Sequence, residues 1–326
     1  MTVSQTNPGQ LHSDDAQPPD SIIQIDLNHQ IEAIERLVAT GSINDRANAQ
    51  RFIHYAKTNE ITLDSMWGRL GARGKIIHTV LAVPNAGRTA MLFASHPHSQ
   101  DDVISLGGLL DYVAKQLVKI DIHLAQILLE PKETLEQQAT MAGGFEKLAT
   151  LTYLQRPISK RTIPPEPIWP QGVTVVQYRN EIRDDVLAAV LASYEQTLDC
   201  PGLFGLREPN DILAGHQASG KFDPLLWTLL RLDGKPSGVV LLNPFPKQRS
   251  VELVYIGLAP IARGKSLGKQ LLRHALRLLD PKRTRTMTLA VDDVNTPALD
   301  MYKAEGFESQ LKRIAFIRSL RTESRK

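Results

Sequence analysis

VELVYIGLAPIARGKSLGKQLLRHAL, residues 251–276, reads as a strand, a tight turn and the start of a helix. The turn RGKSLG at 263–268 leaves several backbone N–H groups free at a helix amino terminus, where they can cradle a pyrophosphate. Arg263, Lys265 and Lys269 add positive charge to the same place. A diphosphate-bearing ligand is the natural guest of such a loop.

Working outward, the segment NTPALDMYKAEGF begins at Asn295, 27 residues beyond Gly268. The loop resembles the Q/R-x-x-G-x-G/A signature of the GNAT acetyltransferase superfamily, with Arg263 first, Gly268 last and Ser266 where the first glycine usually stands. The later segment resembles that family's second signature, N-x-x-A-x-x-x-Y-x-x-x-G-F, at Asn295, Ala298, Tyr302, Gly306 and Phe307. The resemblance covers residues 173 to about 319.

It implies a mixed α/β fold whose sheet splays between its fourth and fifth strands, with acetyl-CoA wedged into the gap. The backbone of Ile256, Gly257 and Leu258 would pair with the pantetheine arm. Arg263, Gly264, Lys265, Ser266, Leu267, Gly268 and Lys269 would hold the pyrophosphate, and Asn295 and Ala298 would line the opposite wall. Ser266 reads as a helix cap. Glu252 stands eleven residues before Arg263, where several members carry a catalytic carboxylate, and a carboxylate partly shielded by the sheet is a sensible general base toward an amine. Tyr302 matches the tyrosine that protonates the departing thiolate, and a phenol with a pKa of about 10 suits that task. Amide donors from a bulge in the strand would steady the oxyanion. The implied reaction moves an acetyl group from acetyl-CoA to a primary amine of a small molecule or protein; the alternative is a regulatory protein that binds CoA without turnover.

Upstream, residues 156–172 carry five prolines and no periodic pattern, which marks a linker between two domains. Apolar spacing predicts a helix pair over 28–58 broken near Gly41, strands at 75–83 and 88–95, a helix at 103–117, a strand at 123–129, a helix at 132–142 and a strand at 147–155. The same order returns after the linker: a helix over 182–198, strands at 225–232, 237–243 and 251–258, a helix at 267–279, a strand at 286–291, a helix at 297–305 and a last strand at 313–319. SLGGLL at 105 answers SLGKQLL at 266, and GFE recurs at 144–146 and 306–308. The chain is thus expected to hold two tandem GNAT folds, 26–155 and 173–320, flanked by a disordered tail (1–25) and a basic tail (321–326). Asp102, Thr89 and Thr140 stand in the first copy against Arg263, Glu252 and Tyr302, so the first copy reads as a degenerate domain that supports or covers the acceptor cleft of the second.

Composition narrows the remaining classes. With 326 residues, 42% hydrophobic and 22% charged, the chain resembles a two-domain soluble protein, and no apolar run approaches the roughly 18 residues needed to cross a bilayer. The start MTVSQTNPGQ has neither the charge nor the apolar stretch of a secretory signal. Cys200 is the single cysteine, which excludes an internal disulfide and fits a cytoplasmic setting. A net charge of +3 is too mild to mark a nucleic-acid surface. Asp292 with Asp293, and His96 with His98, lack the further ligands a metal site needs.

Overall fold

The computed structural model describes residues 21–39, 45–58 and 61–321, so the expectations for 1–20, for the break near Gly41 and for 322–326 lie outside the described residues. The chain divides into two compact units, Met1–Leu81 with Ala94–His96, and Ala82–Phe93 with Pro97–Lys326.

In the smaller unit, β1 (Ile22–Gln24) stands where a disordered tail was expected to extend to residue 25. It is followed by α1 (Gln30–Leu37), α2 (Asp45–Thr58), β2 (Met66–Leu70) and the start of β3 (Ile76–Asn85). The three strands run antiparallel in the order β1–β2–β3. The helix pair exists because α1 presents Ala33, Ile34 and Leu37 on one buried side.

The larger unit continues with β4 (Thr89–Ala94), α3 (Gln100–Val118), β5 (Leu124–Leu129), α4 (Thr134–Ala142) and β6 (Glu146–Pro157). After the proline-rich segment come β7 (Val173–Gln177), α5 (Arg183–Tyr194), α6 (Pro209–Ala218), β8 (Trp227–Leu232), β9 (Lys235–Phe245), β10 (Ser250–Leu258), α7 (Leu267–Arg277), β11 (Thr286–Asp292), α8 (Thr296–Ala304) and β12 (Glu308–Ser319). Helix α6 is absent from the sequence reading: its apolar residues form no clear stripe, and Pro209 at its first turn reads equally as a loop.

The strands of this unit follow the order β4–β5–β12–β6–β11–β10–β9–β8–β7. Each repeat contains one parallel pair, β4 with β5 from Thr89↔Leu124 to Met91↔Gln126, and β10 with β11 from Ser250↔Thr286 to Glu252↔Thr288. This common register corrects the comparison made from sequence: the counterpart of Glu252 is Met91, whereas Thr89 answers Ser250.

The last strand of each repeat lies in the other repeat's half of the sheet. β6 runs antiparallel along the whole of β11, β12 runs antiparallel along β5, and the two exchanged strands pair with each other. The segment between the repeats is docked rather than a free spacer. Ile158 is buried, the Arg277 guanidinium donates to the Pro164 carbonyl (3.1 Å), the Ile168 N–H donates to Gln270 Oε1 (3.2 Å), and Trp169 meets His274 edge-on.

Two apolar cores flank β8–β11. On one face α7 buries Leu267, Leu271, Leu272, Ala275 and Leu276, spaced to fall on a single side of the helix. On the other face α5 and α6 cover Trp227, Leu229, Val239 and Leu241. Fully burying a Leu of this kind contributes roughly 1.5–3 kcal/mol. Trp227 Nε1 donates to Asn243 Oδ1 (2.8 Å), and Asn243 Nδ2 donates to the carbonyls of His216 (2.7 Å) and Ser219, which fixes the end of α6 over β9 and β10.

Candidate active site

The site begins where β10 and β11 part. Their ladder stops at Glu252 and Thr288, while β10 continues against β9 to Leu258 with a bulge between Leu253 and Tyr255. Over residues 253–258 the edge of β10 that faces β11 therefore has no strand partner. A cleft of about 700 Å³ opens there, walled by β10, by the turn and first residues of α7, by the start of α8 and by the loop after α5. Backbone groups left open on a sheet edge accept an extended ligand as an added strand.

Every residue expected to contact the cofactor except Lys265 lines this cleft: Ile256, Gly257 and Leu258 on β10, Arg263, Gly264, Ser266, Leu267, Gly268 and Lys269 around the turn, and Asn295 and Ala298 on the far wall. Gly264 has φ 71°, and no atom lies within 4 Å of where a Cβ would be, which leaves open space in front of the turn. At Gly257 a Cβ would fall 2.5 Å from Ser193 Oγ, so a glycine is needed for α5 to ride close to β10. Asn295 caps α8 through the Ala298 N–H (3.4 Å).

The turn differs from its sequence reading in two respects. Ser266 is the residue before α7, but its side chain makes no capping bond; it adopts φ 57°, ψ 11°, the left-handed region that explains why glycine is usual there. Arg263 does not hold a free charge over the turn. Its Nε donates to the Leu258 carbonyl (3.0 Å), Nη1 to that of Gln196 (3.2 Å) and Nη2 to that of Ser193 (2.9 Å), bracing the end of β10 against the end of α5. Lys269 leans toward Glu305 at 3.6 Å.

The start of α3 is arranged differently. Ser99 Oγ accepts from the Asp102 N–H (3.1 Å), and Asp102 Oδ2 accepts from the His98 N–H (2.9 Å). The protein's own carboxylate thus occupies the helix end where an anionic ligand would sit.

Tyr302 is buried (4% exposed), stands edge-on to Phe307 and lines the cleft. Among the described residues its hydroxyl makes no hydrogen bond. Burial, reinforced by the charge of Asp199 and by Tyr255, pushes its pKa well above the ordinary phenol value, so it stays protonated. Glu252 lies at the last paired position of β10 and turns toward α6, where its Oε2 accepts from Ser219 Oγ (2.8 Å). Burial raises its carboxyl pKa, and the serine bond partly offsets this. Unlike Tyr302, Glu252 is not among the residues that line the cleft.

Several residues of this region carry no sequence signal. Ser193 Oγ donates to the Val190 carbonyl (2.6 Å), so the Tyr255 hydroxyl is the donor in its 2.6 Å contact with Ser193. His216 stacks on Tyr255, and burial together with nearby Arg207 lowers its pKa to about 4, which leaves the ring neutral at pH 7. Cys200 has φ 46°, and burial beside Asp199 and Asp292 pushes its thiol up to about 12, an unreactive state. Asp292 accepts from the N–H groups of Cys200 and Val294, whereas Asp293 pairs with Lys312 (2.8 Å) and Thr152. No common motif could have announced them, because their partners come from separate elements.

Known proteins resemble this chain in sequence and in fold. Residues 193–307 match the model of the Acetyltransferase (GNAT) family. The mycothiol acetyltransferase of Streptomyces bingchenggensis is 30% identical over 188 residues, covering 57% of this chain and 54% of that protein. The mycothiol acetyltransferase of Frankia casuarinae is 27% identical over 270 residues, 79% of this chain and 76% of that protein. The GCN5-related N-acetyltransferase from Sphaerobacter thermophilus superposes with a TM-score of 0.60 at 16% identity, over 93% of this chain and 97% of that one. A tandem GNAT protein from the clavulanic acid biosynthesis pathway superposes with a TM-score of 0.50 at 13% identity, over 93% of this chain and 99% of that one.

Residues 193–307 thus form a domain of the GNAT family. The chain as a whole has the tandem GNAT fold, with its splayed mixed sheet. The chain spans about half the length of the Streptomyces relatives it matches. No helix among the described residues is long and apolar enough to cross a membrane.

Proposed function

We propose that the second GNAT repeat transfers an acetyl group from acetyl-CoA to a primary amine by direct attack. The observation that carries this reading is the parting of β10 from β11 immediately after Glu252, beside a helix amino terminus that its own side chain leaves uncapped. The pantetheine arm adds to the open edge of β10, and the turn at Gly264, Lys265 and Ser266, with Lys269, receives the pyrophosphate. Arg263 serves by holding that turn in shape. Backbone N–H groups at the bulge between Leu253 and Tyr255 would steady the thioester oxygen as it becomes negative.

The neutral nitrogen attacks the thioester carbon, the C–N bond forms, and the C–S bond breaks with its electron pair leaving on sulfur. Tyr302, kept protonated by its surroundings, gives its proton to the thiolate. Glu252, set back from the cleft, takes the proton that nitrogen sheds through an ordered water, and its raised pKa suits that task. The first repeat, which has no open phosphate cradle, supplies strand β6 to the sheet beneath this site.

The test is thiol release from acetyl-CoA with a panel of amines that includes the acceptor of the mycothiol acetyltransferases. Tyr302→Phe should lower kcat by about 100-fold, the scale of a lost acid catalyst, while calorimetry shows acetyl-CoA affinity unchanged. Binding without release for every amine would instead identify a regulatory acyl-CoA-binding protein.

A further inference from the structure

One carboxylate in the cleft has an oxygen that no group among the described residues answers. Asp199, on the loop between α5 and α6, lines the cleft together with Tyr255 and Tyr302. Its Oδ1 accepts from the Asp292 N–H at 2.8 Å. Asp292 reciprocates by accepting from the Cys200 N–H at 3.1 Å and has its other oxygen on the Val294 N–H at 3.2 Å, so both of its oxygens are committed. This cross-latch fixes the loop to the end of β11 and leaves Asp199 Oδ2 as the open acceptor. Among the described residues Oδ2 takes no hydrogen bond, and no cation pairs with it.

The groups that face Asp199 from each surrounding element are Tyr194 on α5, Tyr255 on β10, Asp292 on β11, Tyr302 on α8 and its neighbour Cys200. None of them is a cation, and the guanidinium of Arg263 is spent on three carbonyls. A carboxylate partly withdrawn from water without a positive partner is costly to hold. A ligand that brings a positive charge into the cleft removes that cost. Burial raises the Asp199 pKa, the Asp292 N–H lowers it, and the Asp292 charge raises it again, so the carboxyl is a stronger proton acceptor than an exposed aspartate.

We propose that Asp199 is a catalytic residue that receives the acceptor as an ammonium ion and takes its first proton. The inference rests on the acetyl-transfer reading and supplies a step that reading requires, because an alkyl amine with a pKa near that of lysine, about 10, is almost entirely protonated at pH 7. The R–NH3+ group donates to Oδ2, one N–H bond breaks with its pair remaining on nitrogen, and Asp199 becomes the neutral acid. The amine then attacks the thioester, its second proton passes to Glu252 by way of water, and Tyr302 protonates the thiolate. Glu252 returns its proton to the Tyr302 oxygen through water and Asp199 releases its own to solvent. The sum is R–NH3+ plus acetyl-CoA giving the amide, CoA and one proton.

The experiment measures kcat/KM against pH from 5 to about 10 for the wild type, Asp199→Asn and Glu252→Gln. The acceptor is whichever of tyramine, spermidine and cadaverine, all alkyl amines with a pKa of about 10, releases most thiol. The amide introduced by Asp199→Asn keeps an oxygen for the Asp292 N–H, so the fold should persist, and unchanged calorimetric affinity for acetyl-CoA verifies this. The wild type should rise through the Asp199 pKa and level off near neutrality. Asp199→Asn should lose about 100-fold or more at pH 7, then climb about tenfold per pH unit and approach the wild type as the free amine becomes neutral. Trifluoroethylamine, already neutral at pH 7, should be nearly indifferent to the change. Glu252→Gln should lower the plateau while leaving the rise through the Asp199 pKa in place. An Asp199→Asn profile of wild-type shape overturns the inference and leaves acetyl transfer standing; no thiol release from the wild type with any amine overturns acetyl transfer and this step with it.

Discussion

Ser266 shows how a single residue can satisfy a signature and still strain it. Its φ of 57° is one that a side chain with a Cβ resists, and a non-glycine residue there costs about 1–2 kcal/mol, partly offset by the extra entropy a glycine loses on folding. Ser266→Gly should therefore stabilise the protein by about 0.5 kcal/mol net, read as a small rise in Tm, with acetyl-CoA affinity retained; a fall in Tm would show that the serine hydroxyl does something the hydrogen-bond pattern does not record. That Tyr302 and the turn residues stand close together was legible in the sequence because each belongs to a spaced motif, and they, Lys265 apart, line one cleft; Glu252 was singled out by its distance from Arg263 and lies outside that lining. Asp199 was not, since the partner of its side chain among the described residues, the backbone of Asp292, is 93 positions away in the chain.

Arg263 acts at the scale of elements. Three carbonyls, at the end of β10, at the end of α5 and just beyond it, converge on one guanidinium. Helix carbonyls such as that of Ser193 have no partner within the helix, so the fork satisfies what the helix end leaves open. A lysine offers a compact charge in place of a planar fork. Arg263→Lys should destabilise the protein by about 2 kcal/mol, in keeping with lost hydrogen bonds to a charged group, and should weaken acetyl-CoA binding about tenfold because the turn loosens. Thermal unfolding and calorimetry measure both, and a lysine variant equal to the wild type in each would refute the brace. Secondary structure near this brace was readable from periodicity: β10, α7, β11 and α8 lie within a residue or two of their expected bounds. Helix α6 escaped because its burial comes from Trp227 and Asn243 below it, not from a stripe of its own.

The strand exchange belongs to the molecule as a whole. We propose that the boundaries near 155 and 173 delimit the repeats, while closure of the second repeat's sheet depends on β6 from the first. A fragment of residues 166–326 would expose the edge of β11 that β6 covers, and an unpaired edge invites association. That fragment alone should aggregate or form exchanged oligomers on gel filtration, and co-expression with residues 1–165 should recover a complex; a monomeric 166–326 fragment with cooperative unfolding would count against the dependence. By itself, the sequence determined the fold, the internal duplication and the positions of the turn at 263–268 and of Tyr302, because local periodicity and spaced glycines report backbone geometry directly. The tertiary structure alone decided which strand lies beside which, that Arg263 braces rather than binds, and that Asp199 faces the cleft. Those facts depend on contacts between residues far apart in the chain, for which no local pattern exists.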